Sequence, residues 1–238
     1  MKYKQHLRDN IAPEYGPEPY LNYSLLDDKI RQSTQELEQY AVVNVVKNPK
    51  LALSLTTPAP TDRLGRQGVQ NAEEEGFFAL LDQEMHKVKD FTIKMVEDLK
   101  RRLQKLQEDV SLAKERDVML QLDEEKIAGF KVRADVIGTE LLRLEKYVNV
   151  NFMGFHKILK KHDKHLPGNP CRAFYITRLQ HSWLTADYSV IVVELSSIYS
   201  DIRGDDIPTN DDSAARAESF VRSTTKYWVK MKDVSFVH

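Results

Sequence analysis

Apolar residues recur every three or four positions along most of the chain, a spacing that places them on one face of a helix. One series comprises Phe78, Leu81, Met85, Val88, Phe91, Met95, Leu99, Leu103, Leu106 and Val110. A second comprises Leu120, Ile127, Phe130, Ala134, Ile137, Leu141, Leu144 and Val148. We therefore predict two long helices, over about 72–112 and 117–148, which are joined by a short charged turn and pack antiparallel.

A helical hairpin is predicted before the two long helices. Residues 1–11 carry apolar residues at four-residue spacing, and the proline-rich run 13–19 ends this helix in a turn. A second helix is predicted over about 20–46. Residues 49–71, which are rich in proline, threonine and serine, are predicted to form a mobile surface loop.

After the second long helix, Asn149–Asn151 is expected to break the helical pattern before a short basic helix. Two accessory helices are predicted within 166–202, although the β-branched run 190–193 leaves a strand open there. Residues 203–218 are acidic and are predicted to be a linker. The tail from 219 to 238 has the alternation of a strand and is expected to open a second, β-rich domain.

Composition narrows the classes of protein that fit this pattern. The chain has 238 residues and a formal net charge of −1, so affinity for nucleic acid or a membrane would require a local patch. It has one cysteine, and no apolar run approaches the roughly 20 residues of a membrane helix. P-loop and dinucleotide-binding glycine patterns are absent. We expect a soluble, helical chain without a cofactor or a nucleic-acid partner.

The strongest local charge lies in Gly154–His165, which contains four lysines, three histidines and a single acid. On a helix, Lys157, Lys161 and Lys164 share one face, and Lys160 lies beside them. Such clustered ammonium groups repel one another, and a polyanion would replace that repulsion with charge-assisted hydrogen bonds. The residues alone leave two readings open: an anion-binding face or a solvated helix face.

His162 and His165 flank Asp163, which raises the question of a metal site. Their spacing does not reproduce a closed set of zinc ligands, and Cys171, which follows a proline, is predicted to be packed. We therefore predict no metal site and expect the histidines to add positive potential when protonated.

Four motifs resemble the SPX domain and occur in order within residues 1–165. They are Met1–Tyr3, Tyr20–Tyr23, Phe77–Asp82 and Asn151–Lys164. The segment Phe220–Val229 resembles the first strand of the polyphosphate-polymerase tunnel domain, which follows SPX in subunits of the vacuolar transporter chaperone (VTC) complex. The chain thus resembles the SPX half of a VTC subunit, most like the catalytic one.

The resemblance implies an all-α SPX helical bundle over 1–165, with accessory helices over 166–202 and the first strand of a truncated tunnel domain over 219–238. It also implies a sensor of phosphate status that binds inositol polyphosphates and pyrophosphates. The ligand-binding residues that it implies are Tyr23, Lys157, Lys160, Lys161, Lys164 and Lys2.

The chain departs from the family pattern at one position. Four residues after Tyr23 the family usually has lysine, whereas this chain has Asp27, followed by Asp28. Either the helix register shifts so that Lys29 takes part, or the anion binds less tightly because a carboxylate competes with phosphate for the lysines.

The resemblance also implies a context. The partners would be other VTC subunits and the tunnel domain, at the cytosolic face of a vacuolar or acidocalcisomal membrane that only the full-length protein or complex contacts. The full-length protein would be an ATP-dependent polyphosphate polymerase, with Arg222 and Lys226 in its tunnel, whereas this chain alone would be regulatory and not an enzyme. Three alternatives remain: a scaffold for subunit assembly, the sensor domain of a phosphate transporter, and docking of the basic face on acidic lipids.

Overall fold

The computed structural model describes residues 2–47, 60–116, 124–166, 171–180 and 188–203. Six helices account for most of them: α1 (Lys2–Asp9), α2 (Tyr23–Lys47), α3 (Pro60–Arg116), α4 (Glu124–His165), α5 (Arg172–Gln180) and α6 (Tyr188–Arg203). No strand occurs in these ranges, and 190–193 belong to α6, so the all-α prediction is confirmed there. The linker and strand predicted in the tail fall on 204–238, outside the described residues.

Among the described helices, none combines the length and the apolar character that crossing a membrane requires.

α3 is longer than the sequence pattern suggested. It begins at Pro60 and spans 57 residues, so the prediction of a loop over 49–71 is wrong for 60–71. Proline is tolerated in the first turn of a helix, because the N–H that it lacks would have no partner within the helix there. The glycines that follow lower helix stability by only about 1 kcal/mol each, which does not end a helix.

α4 runs without a break from Glu124 to His165, so the interruption predicted at Asn149–Asn151 is wrong. Asn151 is fully buried, and both the nitrogen and the oxygen of its side-chain amide form hydrogen bonds. Nδ2 donates to the carbonyl oxygen of Tyr147 at 2.8 Å, and Oδ1 accepts the backbone N–H of Leu21 at 2.7 Å. Asn151 therefore makes a tertiary contact instead of ending the helix. The basic stretch 154–165 forms the last turns of the same long helix, α4.

The described residues fall into two compact units. The first takes its residues from 1–93 and 145–184. In this unit the ring of Phe77 lies 4.5 Å from that of His162, and the ring of Phe91 lies 4.9 Å from that of Tyr147. Since rising numbers in α3 meet falling numbers in α4, the two segments are antiparallel. The buried core of this unit includes Leu7, Leu21, Leu26, Ile30, Leu81, Tyr147, Phe155 and Ile158.

The second unit takes its described residues from 94–144 and 185–238. Arg102 pairs with Glu140, and Arg133 pairs with Asp109 at 2.7 Å, so α3 and α4 are antiparallel here too. α6 joins them through an ion pair of 2.7 Å between Lys114 and Asp201. The buried residues include members of the two apolar series predicted from the sequence: Leu99, Leu103, Leu106, Val110, Ala134, Ile137, Leu141 and Leu144.

At two positions of the apolar series predicted for α3, the buried residue is the neighbour of the one that the spacing selected. Phe77 and Val96 are buried, whereas Phe78 and Met95, which the spacing selected, are only half-buried. Steps of three and four residues approximate the true period of 3.6. Over the nine steps of this series, therefore, spacing alone does not decide which of two neighbouring apolar residues is buried.

Gly154 of α4 is a point of close approach in the first unit. A Cβ atom at this position would lie 2.5 Å from Cδ2 of Leu21 and 3.3 Å from Cε1 of Tyr3. The Tyr3 hydroxyl also donates to the carbonyl oxygen of Val150, one turn earlier in α4. Glycine therefore lets α1 and the segment before α2 lie directly on the α4 backbone. In contrast, a Cβ at Gly129 of α4 would meet nothing within 4 Å.

This contrast gives a matched pair of substitutions. Gly129→Ala should stabilise the chain by about 0.5–1 kcal/mol, because alanine is the better helix former. Gly154→Ala should be less stable than Gly129→Ala by about 1–3 kcal/mol, because Leu21 and Tyr3 must shift within a packed core. Denaturant unfolding of both variants measures the difference, and an equal gain in stability would contradict the packing at Gly154.

Candidate anion-binding site

The four predicted lysines lie on one face of the last turns of α4. We call Lys157, Lys160, Lys161 and Lys164 the α4 basic face. Lys157, Lys160 and Lys164 are exposed, and none of them forms an ion pair with another residue in the described part of the chain. Lys161 is partly covered, with 28% of its side chain exposed. Three of the four ammonium groups therefore point into solvent with little neutralisation from described neighbours.

The opposite side of the same turns is apolar and determines the direction of the lysines. Phe155, Ile158 and Leu159 are fully buried, and Phe152 is nearly so. These residues recur at helical spacing, which fixes the rotation of α4 about its axis. The core thus holds the α4 basic face outward.

Asp27 of α2 is the centre of the charged contacts around Lys161. Its side chain is only 4% exposed, and it accepts a hydrogen bond from the Lys161 ammonium of α4. Its second oxygen lies 3.0 Å from Nζ of Lys4 in α1 and 3.1 Å from a guanidinium nitrogen of Arg31 in α2. A buried carboxylate is costly unless it is paired. One carboxylate therefore ties together the charges of three helices.

This environment changes the ionisation of Asp27. Burial by itself raises the pKa of Asp27, but the hydrogen bonds from Lys161 and Lys4, and then the charges of these two lysines, outweigh it. The net shift of the pKa is downward from the ordinary value of 3.8, so the carboxylate is ionised at neutral pH.

Tyr23 lies one turn before Asp27 in α2 and is largely buried. Burial, and then the negative charge of Asp27, raise the pKa of the Tyr23 hydroxyl. The hydroxyl therefore stays protonated and can donate a hydrogen bond. Its ring lies 5.2 Å from that of Tyr3 in α1, so this predicted site residue stands where α1 meets α2.

The remaining predicted site residues are placed as follows. α1 begins at Lys2, but the side chain of Lys2 lies outside the described residues, as do Arg222 and Lys226. The side chain of Lys29 lies beside Gly76 of α3, where its Nζ would be 3.4 Å from an added Cβ. Asp27 itself pairs with Lys161, which is the contact that the second sequence alternative assumes, and the weaker anion binding that this alternative implies stays a prediction.

Two charged residues beside the site were missed from the sequence. Arg31 follows Asp27 by four residues, and that spacing alone could have predicted the pair. Lys4 could not have been found in this way, because only the packing of α1 on α2 and α4 brings it to Asp27. A cavity of about 310 Å³ also opens beside Lys4 and Tyr23, and Arg8 and Lys87 are among its lining residues.

The histidines divide into two environments. Burial, followed by the positive charges of Arg172, Lys157 and Lys160, lowers the pKa of His156. His162 does not fit the expectation that it adds charge to the exposed face. Its side chain is 0% exposed, and its ring stacks on that of Phe77 at 4.5 Å.

Comparison with known proteins identifies relatives of this chain. It is 27% identical to vacuolar transporter chaperone complex subunit 4 of Schizosaccharomyces pombe, over 99% of this chain and 29% of that protein. It is 28% identical to subunit 2 of the same complex and organism, over 68% of this chain and 23% of that protein. The chain thus spans less than a third of the length of these relatives. No protein-family model matches it.

A similar solved structure is the SPX domain of Chaetomium thermophilum glycerophosphodiester phosphodiesterase 1, in complex with inositol hexakisphosphate. The TM-score is 0.60 at 23% identity, and the match covers 86% of this chain and all of that one. The helical bundle is therefore the SPX fold, and the homologues of the chain are VTC subunits and other SPX-domain proteins.

The buried carboxylate predicts a pH dependence of stability. The folded-state pKa of Asp27 is depressed, so its contribution is present above the ordinary pKa of 3.8 and is lost as the pH falls through the folded-state value. Asp27→Asn should cost about 1–3 kcal/mol at neutral pH. That cost should shrink below about pH 4, as measured by denaturant unfolding at several pH values.

Asp28→Asn is the matched control, because the Asp28 side chain is 66% exposed and only one oxygen approaches Lys4, at 3.9 Å. Its effect on unfolding should be small at every pH. A cost for Asp27→Asn that stays constant from neutral to acidic pH would contradict the ionised pairing.

Proposed function

We propose that this chain, an SPX-fold homologue of VTC subunits, senses phosphate status by binding inositol polyphosphates or pyrophosphates on the α4 basic face. The observation that carries the proposal is the set of three exposed lysines in one helix, with Lys161 on the same face and no described carboxylate paired to the other three. The inositol hexakisphosphate complex of a similar SPX domain supports the ligand class.

The recognition would be electrostatic and would require no catalytic group. Ammonium groups at successive turns match phosphate groups at successive positions of a small ring, and each charge-assisted hydrogen bond contributes about 1.5–3 kcal/mol before desolvation costs. The protonated hydroxyl of Tyr23 supplies a further donor at the α1–α2 end of the site. Because the lysines are exposed, binding should weaken as the salt concentration rises.

Asp27 gives the site a built-in competitor. In the described structure, its carboxylate already holds Lys161 and Lys4, which lie at the edge of the α4 basic face. A phosphate group that takes over these ammonium groups leaves Asp27 with Arg31 from its own helix. Only a ligand of high charge density would offset that loss, so we propose that the site discriminates against weakly charged phosphates.

The same exchange offers a route from binding to signalling. Lys4 belongs to α1, Asp27 to α2 and Lys161 to α4, so a ligand that replaces these pairs changes how α1 is held. A change in the attachment of α1 is a conformational output that a partner subunit or domain could detect. This coupling follows from the shared carboxylate and needs no other moving part.

In the full-length protein, we propose that residues 1–165 are the SPX domain and 166–202 are accessory helices. Residues 203–218 would be the linker, and 219–238 the start of the tunnel domain, with Arg222 and Lys226 in the tunnel. The alignment with subunit 4 covers 99% of this chain, whereas that with subunit 2 covers 68%, which supports this arrangement. The chain would regulate polyphosphate synthesis from the cytosolic face of a vacuolar or acidocalcisomal membrane, without being catalytic.

Calorimetric titration with inositol hexakisphosphate tests the proposal. The triple variant Lys157→Ala, Lys161→Ala, Lys164→Ala should lose the binding heat, because it removes most of the cationic face. The control variant Lys94→Ala, Lys100→Ala, Lys105→Ala removes the same charge from exposed positions of α3 and should bind as the parent chain does. Equal affinity of the two triple variants would contradict the proposed site.

Flotation with acidic liposomes separates the proposal from lipid docking. The sensor proposal expects inositol hexakisphosphate to bind in solution and to compete with any liposome association of the α4 basic face. Association with liposomes but no calorimetric binding of inositol hexakisphosphate would favour the lipid alternative instead.

A further inference from the structure

Three potential metal ligands meet where α4 ends and α5 begins. His162 and Asp163 lie in the last turn of α4, and Cys171 immediately precedes α5. The sulfur of Cys171 lies 3.5 Å from Nδ1 of His162 and 3.3 Å from Oδ1 of Asp163, and these last two atoms are 3.4 Å apart. From the spacing of His162, Asp163 and His165 we predicted no metal site, whereas the fold brings the distant Cys171 to the first two of these residues.

These three separations match the edges of a zinc tetrahedron. With Zn–S of about 2.3 Å and Zn–N and Zn–O of about 2.0 Å, tetrahedral angles place sulfur about 3.5 Å from nitrogen or oxygen, and nitrogen about 3.3 Å from oxygen. The observed values differ from these by no more than about 0.2 Å. Three donors of different residue types therefore have the mutual spacing that tetrahedral coordination requires.

The donors are also held in place by their surroundings. Asp163 accepts the backbone N–H of Cys171 at 3.0 Å on one oxygen and that of Arg172 at 3.2 Å on the other. The ring of His162 is stacked on Phe77 and lies 5.3 Å from that of Phe78. Metal sites use such supporting contacts to fix the orientation of their ligands. The arrangement is thus preorganised by helix capping and by aromatic packing.

We propose that His162, Asp163 and Cys171 bind a divalent zinc ion, with water or a further ligand at the fourth position. Cys171 would bind as the thiolate and release its proton to solvent, so that thiolate, carboxylate and Zn²⁺ sum to zero charge. Charge balance matters here because His162 is fully buried and Cys171 is only 8% exposed. The ion would connect the start of α5 to the last turn of α4, next to Lys161.

Cobalt substitution tests the proposal on the whole chain. Co²⁺ takes the same ligands as Zn²⁺ and gives a sulfur-to-cobalt charge-transfer band in the near ultraviolet when a thiolate binds it. Titration of the reduced chain should produce this band at one Co²⁺ per chain, and added Zn²⁺ should abolish it. Cys171→Ser should remove the band, and His162→Asn should weaken Zn²⁺ binding more than about 100-fold.

His165→Asn is the matched control, because this exposed histidine lies one turn from His162 and outside the cluster. It should retain the band and the affinity of the parent chain. Far-ultraviolet circular dichroism of each variant distinguishes a lost ligand from a lost fold, and Cys171→Ser keeps a side chain of similar size. Absence of the charge-transfer band in the folded parent chain, or unchanged Zn²⁺ affinity in folded Cys171→Ser, would overturn the proposal.

Discussion

The buried carboxylate of Asp27 is the constraint on which the site depends. Because an unpaired charge in this position would be costly, Lys4 of α1, Arg31 of α2 and Lys161 of α4 gather around it. The same carboxylate pairs with Lys161, one of the cations that we propose for phosphate binding. Under the proposed function, the ion pairs that connect the helices would also compete with the ligand, so ligand binding and the attachment of α1 would be linked.

Much of the fold could be predicted from hydrophobic spacing, because the core of a helical bundle repeats with the period of the helix. Spacing failed where tertiary contacts decide. Asn151 was predicted to end a helix, yet α4 continues through it, because its side-chain amide forms hydrogen bonds with the backbone of Leu21 and Tyr147. Pro60 was placed in a loop, yet it opens α3, since local composition cannot show how far a helix extends toward its N-terminus.

The candidate site was predictable only where its residues lie on one helix. The α4 basic face follows directly from the spacing of its lysines, and the apolar residues between them set its direction. Lys4 and Cys171 were not predictable, because each meets partners that lie eight or more residues away in the sequence and are brought close only by the fold. Asp27 could be singled out by its departure from the family pattern, but its burial and its three cationic neighbours required the structure.

A double-mutant cycle on Asp27 and Lys161 tests the central claim most directly. Unfolding free energies of the parent chain, Asp27→Asn, Lys161→Met and the double variant give the coupling energy between the two side chains. The account predicts a favourable coupling of about 0.5–3 kcal/mol in the ligand-free chain, and a smaller one with inositol hexakisphosphate bound. Effects that add to within about 0.5 kcal/mol without ligand, or a coupling that the ligand leaves unchanged, would contradict it.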